Sequence, residues 1–413
     1  MQSLLQFVVG ILSARYLGPS DYGLINYASA VIAFFVPIMQ LGLSSTLVQE
    51  YVNDPEKEGE IVGTQLAMSI ISALSCIVGV FAFVNVAHHG DKTTILVCML
   101  YSVTLVFQAT EMLQYWFQAK LMSKYSSVAM LCAYTAMSLY RIVLLVTGKS
   151  VYWFAISHAV EFFVAGVFLV VAYRKHGTQR MSCSFKLAKK MFAKSKYYIA
   201  AALMVVLYNG IANVLLVQIH GETENGYFAA ANTCVMAVHF VYMAVIDTAR
   251  PMILESRKDS VESFEQNIAR VYSFTTWTAI LQGLVFTLFA GLIIRILYGE
   301  EYALAIPALQ VLVWNRSFSY MGHVRNIWIL GEERHNLLWI INLGGAIASL
   351  VLNLLLIPIW GACGAALASV VTQFFTNVIM GFILKPIRPN NQLLLRGMNP
   401  KFAMELIKTF LAR

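Results

Sequence analysis

Long apolar runs alternate with short polar breaks along the whole chain. A run of about 20 apolar residues is long enough to cross a hydrocarbon core as a helix. The pattern predicts such helices near residues 1–15, 23–48, 61–86, 94–117, 126–147 and 151–173. After a basic break, a second set is predicted near 195–219, 226–248, 268–297, 303–328, 335–357 and 360–385, followed by a polar tail. The expected fold is an all-α polytopic membrane protein of about twelve transmembrane helices. Its expected parts are a six-helix bundle over 1–173, a basic cytoplasmic linker over 174–196, a second six-helix bundle over 197–385 and a tail over 386–413. The first span is short, since at ~1.5 Å per residue it covers only about two thirds of a ~30 Å core. That shortfall leaves room for a natural start upstream of Met1.

Composition agrees with the pattern. Of 413 residues, 59% are hydrophobic and 12% charged, about half the charged share of a soluble domain. The runs are too long for a barrel, whose strands alternate over about ten residues. The N-terminus lacks the basic region and cleavage site of a signal peptide, so the first stretch is expected to stay as an anchor. Cys76, Cys98, Cys132, Cys183, Cys234 and Cys363 are scattered without a CxxC pair, which implies neither a zinc site nor a disulfide framework. No metal or cofactor is expected.

Charge sets the expected orientation. If the even-numbered connections and the tail share one face, that face holds 23 of the 29 Lys and Arg. The other face holds Arg15, Lys92, Lys149 and Arg295. By the positive-inside rule, both termini, the linker and the tail are expected in the cytoplasm. The net charge of +8 is then membrane topology and gives no reason to expect nucleic acid binding. Between Arg174 and Lys196 lie eight basic residues and no acid. This segment reads as a solvated cytoplasmic loop, with a dock for anionic lipid or an acidic partner as the alternative.

The halves carry a trace of each other. Gly18-Pro19-Ser20-Asp21-Tyr22-Gly23 follows the first span and Gly221-Glu222-Thr223-Glu224-Asn225-Gly226 the seventh. Both have an acid three residues after the first glycine and both lead into an apolar helix. The shared position within each half points to duplication, and parallel repeats place a transport path at the repeat interface.

Four segments in order carry a family resemblance: Ala14-Arg15-Tyr16-Leu17-Gly18-Pro19-Ser20-Asp21-Tyr22-Gly23; Leu41-Gly42-Leu43; Leu297-Tyr298-Gly299-Glu300-Glu301-Tyr302 leading into Pro307; and Asn353 to Pro358 followed by Gly361-Ala362-Cys363-Gly364-Ala365-Ala366. Together they resemble the Wzx-type O-antigen and polysaccharide flippases of the multidrug/oligosaccharidyl-lipid/polysaccharide (MOP) exporter superfamily. Two departures are the short first helix and Asn213, which stands where related sequences often look acidic. The resemblance implies two six-helix bundles around a central cavity that opens alternately to either side. It implies a substrate, undecaprenyl-pyrophosphate-linked oligosaccharide, moved from the cytoplasmic to the periplasmic leaflet of the bacterial inner membrane. Membrane lipid, a coupling ion (proton or sodium), and polysaccharide polymerase and chain-length proteins are the further partners it implies.

An anionic sugar-diphosphate headgroup needs cations inside the bundle. Arg141 on the fifth span and Arg316 on the tenth meet that need, one in each half. An arginine at mid-membrane costs about 2.5–3.5 kcal/mol unless it faces a cavity or partner, and guanidinium binds phosphate bidentately. The alternatives are snorkelling for Arg141 and a structural ion pair for Arg316, while Arg250 and Arg325, nearer the cytoplasmic boundary, read as interface anchors. Glu111 and the pair His158 and Glu161, three apart on one helix face, are the candidate ion-coupling groups. Interhelical hydrogen bonding and neutralisation of an arginine are their structural alternatives. Asn209 and Asn213, four apart on the seventh span, are candidate substrate contacts or interhelical glue. Pro37 is a candidate bend. Residues 400–412 put Phe402, Leu406, Ile407 and Phe410 on one side, as an interfacial helix would.

A membrane enzyme needs a water-exposed catalytic loop, and the longest cytoplasmic loop, 174–196, contains no carboxylate; an enzyme such as a polysaccharide polymerase is therefore not expected. A multidrug exporter would need an acid-lined cavity, against which two arginines and scarce acids argue. An exporter of another lipid-linked precursor fits the same residues and stays open.

Overall fold

The computed structural model describes residues 2–411, with side chains described from Phe7 to Glu405 except at Phe240. The described chain is helical throughout. By packing it divides at Gly210, into Met1–Gly210 (unit 1) and Ile211–Arg413 (unit 2), rather than at the basic segment 174–196.

Unit 1 contains α1 (Gln2–Met39), α2 (Leu47–Asn53), α3 (Glu58–Ala87), α4 (Lys92–Ser102), α5 (Thr104–Glu111), α6 (Gln114–Ala119), α7 (Ser123–Thr147), α8 (Val151–His176) and the larger part of α9 (Phe185–His220). α1 is two helices joined at Gly18, whose φ of 72° and ψ of 172° lie in a region open to glycine and strained for other residues. Pro19 follows at the start of the second helix, where its missing N–H costs nothing. Pro37 is different: helical dihedrals run through it to the end of α1. Leu43, Leu47, Ile61, Leu113, Trp116 and Phe117 form a buried apolar core.

The basic segment is exposed along most of its length, yet tethered. Residues 177–184 are strapped onto the start of α3, and α9 begins at Phe185. Glu58, only 2% exposed, accepts hydrogen bonds from the Thr178 backbone N–H (3.2 Å), the Thr178 hydroxyl (2.9 Å) and the Trp116 indole (3.4 Å). The same carboxylate pairs with Lys120 at 2.8 Å. The Ser182 N–H donates to the Gly59 carbonyl at 3.1 Å, and the Ser184 N–H to the Thr64 hydroxyl at 3.0 Å. Gly59 and Gly63 allow this approach, because a Cβ at either would strike the backbone of Arg180 or Ser182. Further on, Lys190 pairs with Asp54 at 3.5 Å and Lys194 with Glu50. The acidic partner for these lysines lies within the chain, more than a hundred residues upstream.

Unit 2 continues α9 and adds α10 (Glu222–Met236), α11 (His239–Asp259), α12 (Val261–Tyr298), α13 (Ala305–Gly331), α14 (Asn336–Phe374), a π-helical turn (Phe375–Ile379), α15 (Met380–Ile383), α16 (Arg388–Gly397) and α17 (Pro400–Leu411). Gly221, between α9 and α10, has φ 88° and ψ 179°, so the two glycines of the sequence repeat adopt one backbone conformation. A second break, at Gly361 inside α14, is tied to the first. Glu224 accepts the Ala362 N–H at 2.8 Å, and the His220 ring nitrogen bonds the Ile357 carbonyl at 2.8 Å. The tail packs along α12: Tyr272 donates to Asn390, Ser273 to the Asn399 carbonyl, and Trp277 to the Met398 carbonyl. Of the apolar stripe expected on α17, the side chains of Leu406, Ile407 and Phe410 lie outside the described residues.

By length and composition eight helices can cross a membrane, and the pair α10 and α11 makes a ninth. α1 and α14 are each broken once inside, at Gly18 and Gly361, and α13 carries an arginine near its centre. The odd-numbered turns between spans contain Gly18, Gly90, Gly148, Gly221, Gly299 and Gly361, all at positive φ. On the even-numbered side the positive-φ residues are Leu41, Gly42, Leu121 and Glu333.

Candidate functional site

Unit 1 holds a partly open cavity of about 120 Å³ with mixed polar and apolar walls, lined among others by Ser13, Tyr22, Asn26, Ser29, Arg141 and His158. This is well above the ~10–15 Å³ that admits one water. The short side chains of α1 and its break at Gly18 leave the space, and α7 and α8 supply the charges. Arg141 enters from α7 and is held by α8, its Nε donating to the Ser157 hydroxyl at 2.9 Å. Ser157 in turn donates to the Phe154 carbonyl at 2.6 Å. His158 lies 3.3 Å from the carboxylate of Glu161, one helical turn on, with its ring 5.1 Å from that of Tyr101. Glu161 is buried. Its charge acts on Arg141 and His158 and, across the α5 and α8 contact, on Glu111. Glu111 accepts from the Gln114 amide at 3.3 Å. Four residues singled out in the sequence, Glu111, Arg141, His158 and Glu161, therefore form one electrostatic group.

Arg316 lies in unit 2, on α13, and its guanidinium contacts the thioether of Met236 on α10. Around it is a group the sequence reading missed. The His239 ring stacks 5.8 Å from that of Tyr320, which stacks 3.9 Å from Tyr242. The His323 ring centre is 6.2 Å from that of His239. Arg316 acts electrostatically on both histidines and on Tyr320. The spacing 316, 320, 323 on α13 was a usable signal, because those positions share a helix face. Arg325, expected at the cytoplasmic boundary, is instead buried at 5% exposure. The π-helical turn after α14 frees the Thr376 carbonyl, which accepts its guanidinium at 2.8 Å.

The two asparagines of α9 separate. Asn209 is exposed and its amide donates to the Val205 carbonyl at 2.8 Å, an intrahelical bond. Asn213 is half-buried in unit 2. Among the described residues no group of three or more His, Cys, Asp or Glu is arranged to hold a metal ion.

Comparison with known proteins follows this geometry. The family model described as polysaccharide biosynthesis protein matches residues 1–257. The capsular polysaccharide biosynthesis protein CapF of Staphylococcus aureus is 23% identical over 402 residues, covering 94% of this chain and 96% of that protein. Among solved structures, an inward-facing multidrug resistance MATE family transporter of the MOP superfamily superposes with a TM-score of 0.77 at 14% identity, covering 96% of each chain. The lipid II flippase MurJ in its inward closed conformation superposes with a TM-score of 0.75 at 14% identity, covering 100% of this chain and 91% of that one. At such identities these two structures establish the fold alone: this chain folds as those two all-helical proteins do.

Proposed function

The chain belongs to the polysaccharide biosynthesis protein family, and from that premise we propose that it is a flippase for undecaprenyl-pyrophosphate-linked oligosaccharide, an O-antigen or other surface-polysaccharide repeat unit. The observation that carries the reading is Arg141, a guanidinium held inside an apolar bundle at the wall of that cavity. A charge so placed is costly unless it serves a ligand or a partner, and the neighbouring hydroxyls and amide suit a phosphate group.

In this reading the lipid tail stays in the bilayer, and Arg141 in unit 1 and Arg316 in unit 2 are each a cation for the diphosphate. Asn209 and Asn213 offer amides to sugar hydroxyls. Transport proceeds by alternating access from the cytoplasmic to the periplasmic leaflet of the inner membrane, with both termini in the cytoplasm. Glu161, His158 and Glu111 are the coupling groups. Glu161 balances Arg141 when no substrate is bound, and an arriving phosphate competes with it, leaving the carboxylate to take a proton or sodium ion.

Reconstitution in proteoliposomes tests this. Labelled undecaprenyl-pyrophosphate oligosaccharide should become exposed in a protein-dependent way, and Arg141→Ala should slow that exposure about 10- to 100-fold while the protein stays folded. Exposure of a peptidoglycan-type lipid precursor but of no polysaccharide precursor would reassign the substrate within the same fold. No exposure of any lipid-linked sugar would overturn the reading.

A further inference from the structure

Five lysines crowd the stretch 185–196 at the start of α9, and the structure sorts them onto two faces. One face is turned inward. Leu187 and Met191 are buried, the Ser195 hydroxyl donates to the Leu41 carbonyl at 2.7 Å, and Lys190 and Lys194 reach Asp54 and Glu50. The other face is turned outward. Phe185, Lys189, Phe192 and Lys196 follow one another at spacings of four, three and four, which sets them in a single stripe along the helix. All four are exposed, Phe185 at 86% and Phe192 at 40%, and Lys186 is exposed beside them. The ion pairs to Glu50 and Asp54 fix the rotation of the helix and so hold the stripe outward.

Position and charge together say what meets this stripe. α9 has 36 residues, ~54 Å at ~1.5 Å each, against a hydrocarbon core of ~30 Å. Residues 197–220 carry no Asp, Glu, Lys or Arg and suffice for the crossing. The stretch 185–196 therefore leaves the core as an unbroken continuation of the span and passes the lipid headgroups. Tyr197 and Tyr198, exposed where the lysines end, mark that boundary as interfacial aromatics do. A helix N-terminus carries about half a positive charge, and the first turn of α9 has no acid to offset it. No acid occurs anywhere in 174–196. Asp54 and Glu50 answer Lys190 and Lys194 on the inward face. On the outward face Lys186, Lys189 and Lys196 add to the charge of the helix end, and Arg180 on the strap is exposed as well. Lysines alternating with phenyl rings match a layer of phosphates with acyl chains beneath it.

We propose that the outward stripe of α9, formed by Phe185, Lys189, Phe192 and Lys196 with Lys186 beside it, docks on anionic phospholipid headgroups of the leaflet at its own end of the span. The lysines meet the lipid phosphates, and the phenyl rings enter the glycerol region between them. The surface goes beyond the flippase reading and does not rest on it, since it concerns the lipids that border unit 1 and not the molecule transported.

Fluorescence quenching in nanodiscs tests this on the full chain. Phe192→Trp places a reporter in the stripe, read as the difference from the wild type with its seven native tryptophans. The discs contain phosphatidylcholine and phosphatidylglycerol in equal proportion, and one lipid or the other carries a nitroxide near its glycerol. At low salt the phosphatidylglycerol label should quench the added emission about two- to fivefold more than the phosphatidylcholine label, as expected where several lysines each attract anionic lipid. That ratio should fall towards one at about 0.5 M salt, where the charges are screened. Lys186→Gln, Lys189→Gln and Lys196→Gln combined should also bring it to about one, while arginine at the same three positions should preserve it; melting temperature is the folding control for both sets. Equal quenching by the two labels in the lysine-containing chain overturns the proposal. Quenching by neither places the stripe against water or protein and overturns it too. A preference that survives the glutamine variant takes the role away from the lysines and likewise overturns it.

Discussion

The two halves share a backbone device and differ in charge. In unit 1 a single guanidinium, Arg141, shares its surroundings with two carboxylates, Glu161 and Glu111, and with His158. In unit 2 Arg316 and Arg325 neighbour two histidines, and the carboxylate acting on them is already paired with Arg250. The two groups thus differ in kind, with carboxylates beside the guanidinium in unit 1 and imidazoles beside it in unit 2. The shared backbone device therefore does not carry the charge pattern with it. The glycine breaks tell the same story on a smaller scale. Gly18 and Gly221 have one conformation, but Glu224 caps Ala362 while Asp21, one methylene shorter at the matching position, makes no such bond.

The sharpest way to break this comparison is to remove each arginine. Arg141→Ala and Arg316→Ala should each slow flipping about 10- to 100-fold, the loss expected of a charge-assisted contact of ~1.5–3 kcal/mol. Flipping by Glu161→Gln should become indifferent to an imposed pH gradient, and an unchanged response would remove the coupling role from unit 1. Next in size is Glu58, which serves four donors in unit 1 and has no counterpart described in unit 2. Glu58→Ala should cost about 2–4 kcal/mol, because it strands a buried cluster of donors. The readouts are a lowered melting temperature in detergent and faster proteolysis within 177–184. The glycine breaks should be equivalent: Gly18→Ala and Gly221→Ala each cost about 1–3 kcal/mol through the strain of a non-glycine residue in that region. A large difference in melting temperature between them would refute the shared conformation. Smallest is the cap, where Glu224→Gln should cost about 1 kcal/mol and Asp21→Asn less than about 0.5 kcal/mol. Equal shifts would mean that unit 1 has a cap after all.

Much of the site was legible because intramembrane charge is rare. Arg141, Glu161 and His158 stood out as polar residues inside apolar runs; the structure sets Arg141 and His158 at one cavity, with Glu161 beside His158. The histidines of unit 2 did not stand out. They are 84 positions apart in the sequence, each resembles a solitary polar residue near a helix end, and the packing of α10 and α11 against α13 brings them together. Arg325 was misplaced for a related reason. Hydropathy locates it near a helix end, but a π-helical turn in a distant segment offers the carbonyl that lets it stay buried. The basic segment looked solvated since no acid lies within it; its acids sit on α2 and at the start of α3.

What the sequence by itself determined was local in origin. Each apolar run partitions into lipid according to its own composition. Each glycine permits a positive φ through its missing Cβ, so the spans, the duplicated breaks and the charge asymmetry of the loops could be read residue by residue. The tertiary structure alone decided which charges meet. That depends on how helices rotate about their axes and on which close approaches their small residues allow. Gly59 and Gly63 admit the strap, the unwound turn after α14 admits Arg325, and α13 presents three polar residues to a helix eighty positions away. Packing energies that pair distant segments settle such choices, and the neighbours of a single residue in sequence carry no record of them.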